Sequence, residues 1–236
     1  MLNNMNNIFN FTDFVNEGRS SYDSIASKLV KHTFKKWVNG YKGGEATLNF
    51  TESLVLNRLE FDVDFNLHVT KRVKGFEILN STGADSRTTD DEGDEQDPYI
   101  IIDFAVNPDW IPGEWSTIYF YLADVVRHEI EHITQGGEDI GNYRMGKPNE
   151  DDGMLRQMIK IGLLPKAQYF MLPKEVDANI QGLRYEAKKR KESMADAVNR
   201  YLDTQEQSGE INGKEREEIL TLWKRRAKQI GGIPTF

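Results

Sequence analysis

The chain has 236 residues and a mass of 27.2 kDa with 38% hydrophobic residues, enough to bury one sizeable core carrying appendages. A formal net charge of -8 and a pI near 5.2 argue against general affinity for nucleic acid or an anionic membrane, and the absence of Cys excludes a disulfide scaffold or a thiolate metal site. No stretch approaches about eighteen consecutive apolar residues, and the start MLNNMNNIFNF lacks the basic and apolar segments of a secretory signal, so neither membrane insertion nor export by a signal peptide is expected.

Residues 1–20 carry Ile8, Phe11, Phe14 and Val15 at near-helical spacing, the pattern of a short amphipathic segment. The run Phe11-Thr12-Asp13-Phe14-Val15-Asn16-Glu17 resembles the capsid-targeting peptide of internal head proteins of T-even-like phages. That resemblance implies cleavage after Glu17 by a phage prohead protease, and a location in the virion head interior or the cytoplasm of the bacterial host. From Ser21 to Val38, the residues Ile25, Leu29, Val30, Phe34, Trp37 and Val38 recur at helical intervals, and Asn39-Gly40 supplies a stop, so a core-packing helix is expected. His32, within it, is expected to be an ordinary histidine.

After the turn-rich YKGGEA, Leu59, Phe61, Val63, Phe65, Leu67 and Val69 alternate with polar residues, the period of a half-buried strand with His68 on its wet face. Lys74-Gly75 turns the chain into a second strand, Phe76 to Leu79. Asn80 to Pro98 is strongly acidic and poor in apolar residues, which predicts a solvated loop. Tyr99 to Val106, YIIIDFAV, has the Ile-rich run of a buried strand.

Pro112-Gly113 is a turn, Ser116 or Thr117 a plausible N-cap, and a helix should run from there to Thr134, stopped by Gly136-Gly137. It contains His128-Glu129-Ile130-Glu131-His132. On a helix, His128 and His132 lie one turn apart on one face and both imidazoles can grip one metal ion, with Glu129 beside them to take a proton from a metal-held water. By chance this pattern should occur about 0.006 times in such a chain. It is the HExxH pattern of zinc metallopeptidases, which need a third protein ligand, and two positions are open. Glu138 is one, although Gln135 and the late Gly136 depart from the HExxHxxGxxH pattern of metzincins. The other is Glu175, just after Pro173, a residue suited to the first turn of a helix.

The segment Pro173-Lys174-Glu175-Val176-Asp177-Ala178 resembles the glutamate helix of gluzincins. The resemblance runs from about Tyr99 to Glu186 and implies His128, His132 and Glu175 as ligands of one Zn2+ per chain, Glu129 as general base, and Asp177 as an acceptor from a ligand imidazole. It also implies that Tyr99 to Val106 is the edge strand pairing with the substrate backbone, and offers Tyr169 or Tyr185 as hydroxyl donors near the reacting carbonyl. Between the ligand helices, Asn142 to Gly153 should be loop and Met154 to Ile161 a short helix.

The glutamate helix should continue through Gly182 and the basic run Lys188-Lys189-Arg190-Lys191 to about Gln205, and a last helix should span Lys214 to Ile230. Nucleic acid is not an expected partner outside Lys188 to Lys191. The expected architecture is an α+β, zincin-like fold with a small mixed sheet, an active-site helix, a glutamate helix, and N- and C-terminal helices. Residues 1–20 would be a targeting segment, 21–206 the metallopeptidase domain and 207–236 a helical appendage. The expected activity is zinc-dependent hydrolysis of protein or peptide bonds; the alternative is a non-enzymatic internal or structural protein of a phage virion.

Overall fold

The helical spacing after Ser21 is realised in a longer helix, α1 (Phe11–Gly40), so the expected cleavage after Glu17 falls within a continuous helical backbone. The computed structural model describes residues 11–56, 59–79, 81–85, 99–135 and 150–236, with side chains for all of these except 11–21, 55–56, 59–60, 85, 134 and 150–153. The expected stop at Gly136-Gly137, the candidate ligand Glu138 and most of the expected loop from Asn142 lie outside the described residues.

Strand β1 (Ala46–Leu56), not expected from the sequence, forms an antiparallel hairpin with β2 (Leu59–Val69). In β2 the alternation works as the pleat demands: Phe61, Val63, Phe65, Leu67 and Val69 are buried, while Asp62 and Asp64 on the other face accept from Ser53 and Thr51 of β1. Two short strands follow, β3 (Phe76–Ile78) and β4 (Gly83–Asp85), the latter inside the segment expected to be loop. β5 (Tyr99–Val106) pairs in parallel with β2 on one side and antiparallel with β3 and β4 on the other. This corrects the expected edge role of Tyr99 to Val106. Both hydrogen-bonding sides of β5 are occupied, and an Ile-rich strand buried between neighbours is the physical outcome of its composition.

A single turn, Pro108–Trp110, leads into α2 (Trp115–Gln135). Ile118, Leu122, Val126, Ile130 and Ile133 of α2 pack with the inner face of the sheet and with Tyr22, Ala26, Leu29, Val30 and Trp37 of α1 in one hydrophobic core. Helix α3 (Glu150–Lys160) and a turn at Lys166–Met171 precede α4 (Pro173–Arg190). The helix does not run on to Gln205 as the spacing suggested. Lys191 adopts the left-handed conformation (φ 59°, ψ 39°), Ser193 caps the amide of Asp196, and a separate helix α5 (Met194–Gln207) begins. The last helix, α6 (Gly213–Ile230), starts at a capping box between Asn212 and Glu215.

A second core joins Val176, Ile180 and Leu183 of α4 to Val198 and Leu202 of α5 and to Ile219 and Trp223 of α6, whose indole donates to the Phe170 carbonyl at 2.9 Å. Helix α4 also gives Tyr185 to the first core, so it lies along the seam between the two and is buried on most of its circumference. The architecture of the described residues is a small mixed sheet with helices, in keeping with an α+β fold. The seam between α2 and α4 is where the candidate residues gather.

Candidate metal centre

Helix α2 places Asp124, His128 and His132 four residues apart, with Gln135 one further turn on, so all four project from one face toward α4. Pro173 opens α4, and Glu175 in its first turn is fully buried. The Nε2 atoms of His128 and His132 are 3.1 Å apart. Glu175 Oε2 lies 3.5 Å from His128 Nε2, and Oε1 lies 3.3 Å from His132 Nε2. A tetrahedral zinc with bonds of about 2.0–2.1 Å separates its ligand atoms by about 3.3 Å, so the three side chains already stand at zinc-ligand spacing.

The donor set shows the same fit. Two imidazole nitrogens and a carboxylate are a zinc-type set, and Glu175 Oε2 is buried without a hydrogen-bond partner. Its other oxygen, Oε1, accepts from Arg156 of α3 at 2.5 Å. Burial opposes ionisation of Glu175, but His132 and His128 outweigh it and hold the carboxyl well below its ordinary range. Burial likewise lowers His132, yet the Glu175 carboxylate reverses this and raises the imidazole to about 9. The carboxylate thus favours positive charge on the imidazole side of the cluster.

Glu129 points from the same turn of α2, is only 6% exposed, and has an Oε2 without a hydrogen-bond partner. Burial pushes its carboxyl upward, and the neighbouring His128 and His132 pull it back. A buried carboxyl beside the two imidazoles is placed to exchange a proton with a group held among them. Of the two tyrosines considered, Tyr169 lies against Glu175 with its ring under the Arg156 guanidinium, and burial together with Glu175 pushes its hydroxyl above the ordinary range. Tyr185 instead lies deep in the first core, near Ser27 and beneath Lys189.

Asp177 does not take the expected place beside an imidazole. Its two oxygens accept from Arg226 Nε and Nη2 of α6 at 2.7 and 2.8 Å, a bidentate pair that fastens α4 to α6. The turn of helix from Glu175 to Asp177 rotates this carboxylate toward the second core. The orienting role passes to Gln135. Its Nε2 donates to the Lys174 carbonyl at 3.1 Å, which sets the amide so that Oε1 faces His132 Nδ1 at 3.0 Å. A proton on Nδ1 then leaves Nε2 as the ligand nitrogen. Accordingly, if the cluster holds a metal ion, Gln135→Ala should weaken its affinity about 10–100-fold, the usual effect of removing a partner of a ligand imidazole. Asp177→Asn should shift that affinity by less than about threefold and instead lower stability by about 2 kcal/mol. Chelator competition and urea unfolding measure the two effects, and a large loss of zinc affinity in Asp177→Asn would restore Asp177 to the site.

The other histidines stand apart. His32 faces Glu52 at 3.3 Å, and His68 pairs with Asp103 at 2.8 Å on the outer sheet face rather than being simply solvated. In the basic run, Lys189 donates to Ser27 and Arg190 to Glu186, while Lys188 stands 3.8 Å from Asp23. Arg156 and Gln135 were not singled out as site residues from the sequence. Gln135 shared the face of His132, a signal that could have been used; nothing local marked Arg156, which reaches Glu175 only through the packing of α3.

Comparison of the chain with protein-family models, with curated proteins and with solved structures finds no match.

Proposed function

We propose that the chain is a zinc-dependent endopeptidase of gluzincin type with a zincin-like fold, acting on protein or peptide substrates. The observation that carries this reading is the convergence of His128, His132 and Glu175 at zinc-ligand spacing, with an unpartnered Glu175 oxygen among them. A zinc ion held by these three side chains supplies a Lewis acid for a carbonyl and lowers the pKa of water toward neutrality. Glu129 takes the proton of the attacking water on its carboxylate and returns it to the leaving amine. Arg156 and Tyr169, both against Glu175, are donors available to negative charge developing on the carbonyl oxygen. Since β5 is interior, the backbone-pairing role expected of it passes to β4, the short strand flanking β5 beside α2. The Phe11 to Glu17 run adds a phage-head setting to the same reading.

Metal content and hydrolysis test this together. Protein purified with zinc should contain about one zinc per chain. It should cleave unfolded protein substrates, lose that activity to 1,10-phenanthroline and regain it when zinc is restored. A chain that takes up no zinc, or hydrolysis indifferent to the chelator, would overturn the reading and leave the helix α2 pattern as structure alone.

A further inference from the structure

A cavity of about 250 Å³ lies one turn of α2 before the metal cluster, between β3, α2, α4 and α5. Phe76, Ile78, Tyr121 and Tyr201 form much of its wall, and Asp124, Glu186 and Arg200 line it with charge. The charges do not balance. Glu186 accepts from Arg190 Nε at 2.6 Å and forms an ion pair with Arg200, whose Nη2 stands 2.8 Å away, while Arg200 Nη1 donates to both oxygens of Glu192 at 2.7 and 2.9 Å. Two guanidinium groups are thus matched by Glu186 and Glu192, and Asp124 is left over.

Asp124 is only 9% exposed and accepts no hydrogen bond or salt bridge among the described residues. An ionised carboxylate so buried is costly unless a cation or donor reaches it. One free carboxylate is too few ligands for a hard metal ion, and aromatic walls favour an organic cation. The volume is below the usual range of small-molecule sites, about 300–1,000 Å³, and suits a single side chain. Asp124 stands one turn from His128 on the same face of α2, and both lie against Gly182 of α4, so the cavity adjoins the metal cluster.

We propose that this cavity is a side-chain pocket for a basic residue, Lys or Arg, of a peptide substrate, with Asp124 as its charge partner. This rests on the peptidase reading for the word substrate, and on the cavity alone for the cation. The full chain as purified should therefore bind n-butylguanidinium by NMR titration or calorimetry, and bind its neutral counterpart n-butylurea at least about tenfold more weakly. Asp124→Asn should remove that preference. Because Asp124 sits against Gly182, a second variant, Thr204→Trp on the exposed rim of the cavity, should block binding without touching Asp124. In hydrolysis, peptides with Lys or Arg at one position flanking the cut should be preferred about tenfold or more over Leu, with the preference lost in Asp124→Asn. Guanidinium binding without any peptide hydrolysis would support the cation pocket and overturn the peptidase reading. Absent or Asp124-independent guanidinium binding would overturn the pocket even if peptides are cleaved, and cleavage indifferent to Lys and Arg would overturn its role in substrate choice.

Discussion

Glu129→Gln is expected to keep about one zinc per chain and to slow peptide hydrolysis by about 10²–10⁴-fold, the range of a lost general base. The amide keeps the shape of the carboxyl and removes only its capacity to accept a proton. It should not cost stability. Burial disfavours the ionised Glu129 in the folded chain, and a neutral side chain is free of that penalty, so the melting temperature should hold or rise. Glu175→Ala should behave in the opposite way, weakening zinc binding about 100-fold or more and taking the activity with it, because a buried carboxylate shared by both imidazoles is removed. The same substitution removes the carboxylate that accepts from Arg156 at 2.5 Å, so some loss of stability should accompany it. Equilibrium dialysis with elemental analysis, alongside a peptide assay, separates the two variants. An active Glu129→Gln enzyme would remove Glu129 from catalysis, and undiminished zinc affinity in Glu175→Ala would remove Glu175 from the ligand set.

What the sequence disclosed about this site follows the range of the interactions. His128 and His132 were legible because a helix of fixed pitch brings them together, and α2 forms over the expected residues. Glu175 came from the resemblance of its segment to a known helix, and the structure places it on the opposite wall of the same cluster. Asp177 was misplaced since its partner, Arg226, belongs to α6, and no local pattern shows which helix a buried carboxylate will face. Strands β5, β2 and β3 were recognised, but their pairing was not, and β4 fell in a segment expected to be loop. Pairing with β2, β3 and β4 is decided by contacts distant in sequence, and two of those strands have only three residues each. The break after α4 had a local signal in Ser193 and Asp196, overridden by helical spacing that continues into α5. Strand β1 also had a signal, the alternation of Leu48, Phe50 and Leu54 with Thr47, Asn49, Thr51 and Ser53, partly interrupted by Glu52.

Gly182→Ala carries the second large effect, and its sign is decided by two opposed magnitudes. In an exposed helix the change would stabilise by about 1 kcal/mol, since Gly is a poor helix residue. Here α4 crosses α2 at Gly182. A Cβ would stand 2.3 Å from Asp124 Oδ1, 3.0 Å from the Asp124 carbonyl oxygen and 3.3 Å from His128 Cβ. The first clash can be relieved by turning the Asp124 side chain. The other two involve the backbone of α2 and the Cβ of His128, so α4 must move outward, carrying Glu175 away from His128 and His132. Overpacking of this kind costs about 1–3 kcal/mol, which exceeds the propensity gain at most values. The expected result is a net loss of stability together with a fall in zinc affinity of about tenfold or more, because a ligand set distributed over two helices depends on their spacing. The double variant Asp124→Ala, Gly182→Ala removes the side-chain clash and keeps the backbone ones. It should recover part of the stability and little of the zinc affinity. If Gly182→Ala instead melts higher and binds zinc as the original chain does, the close approach of α2 and α4 is not what sets the metal centre.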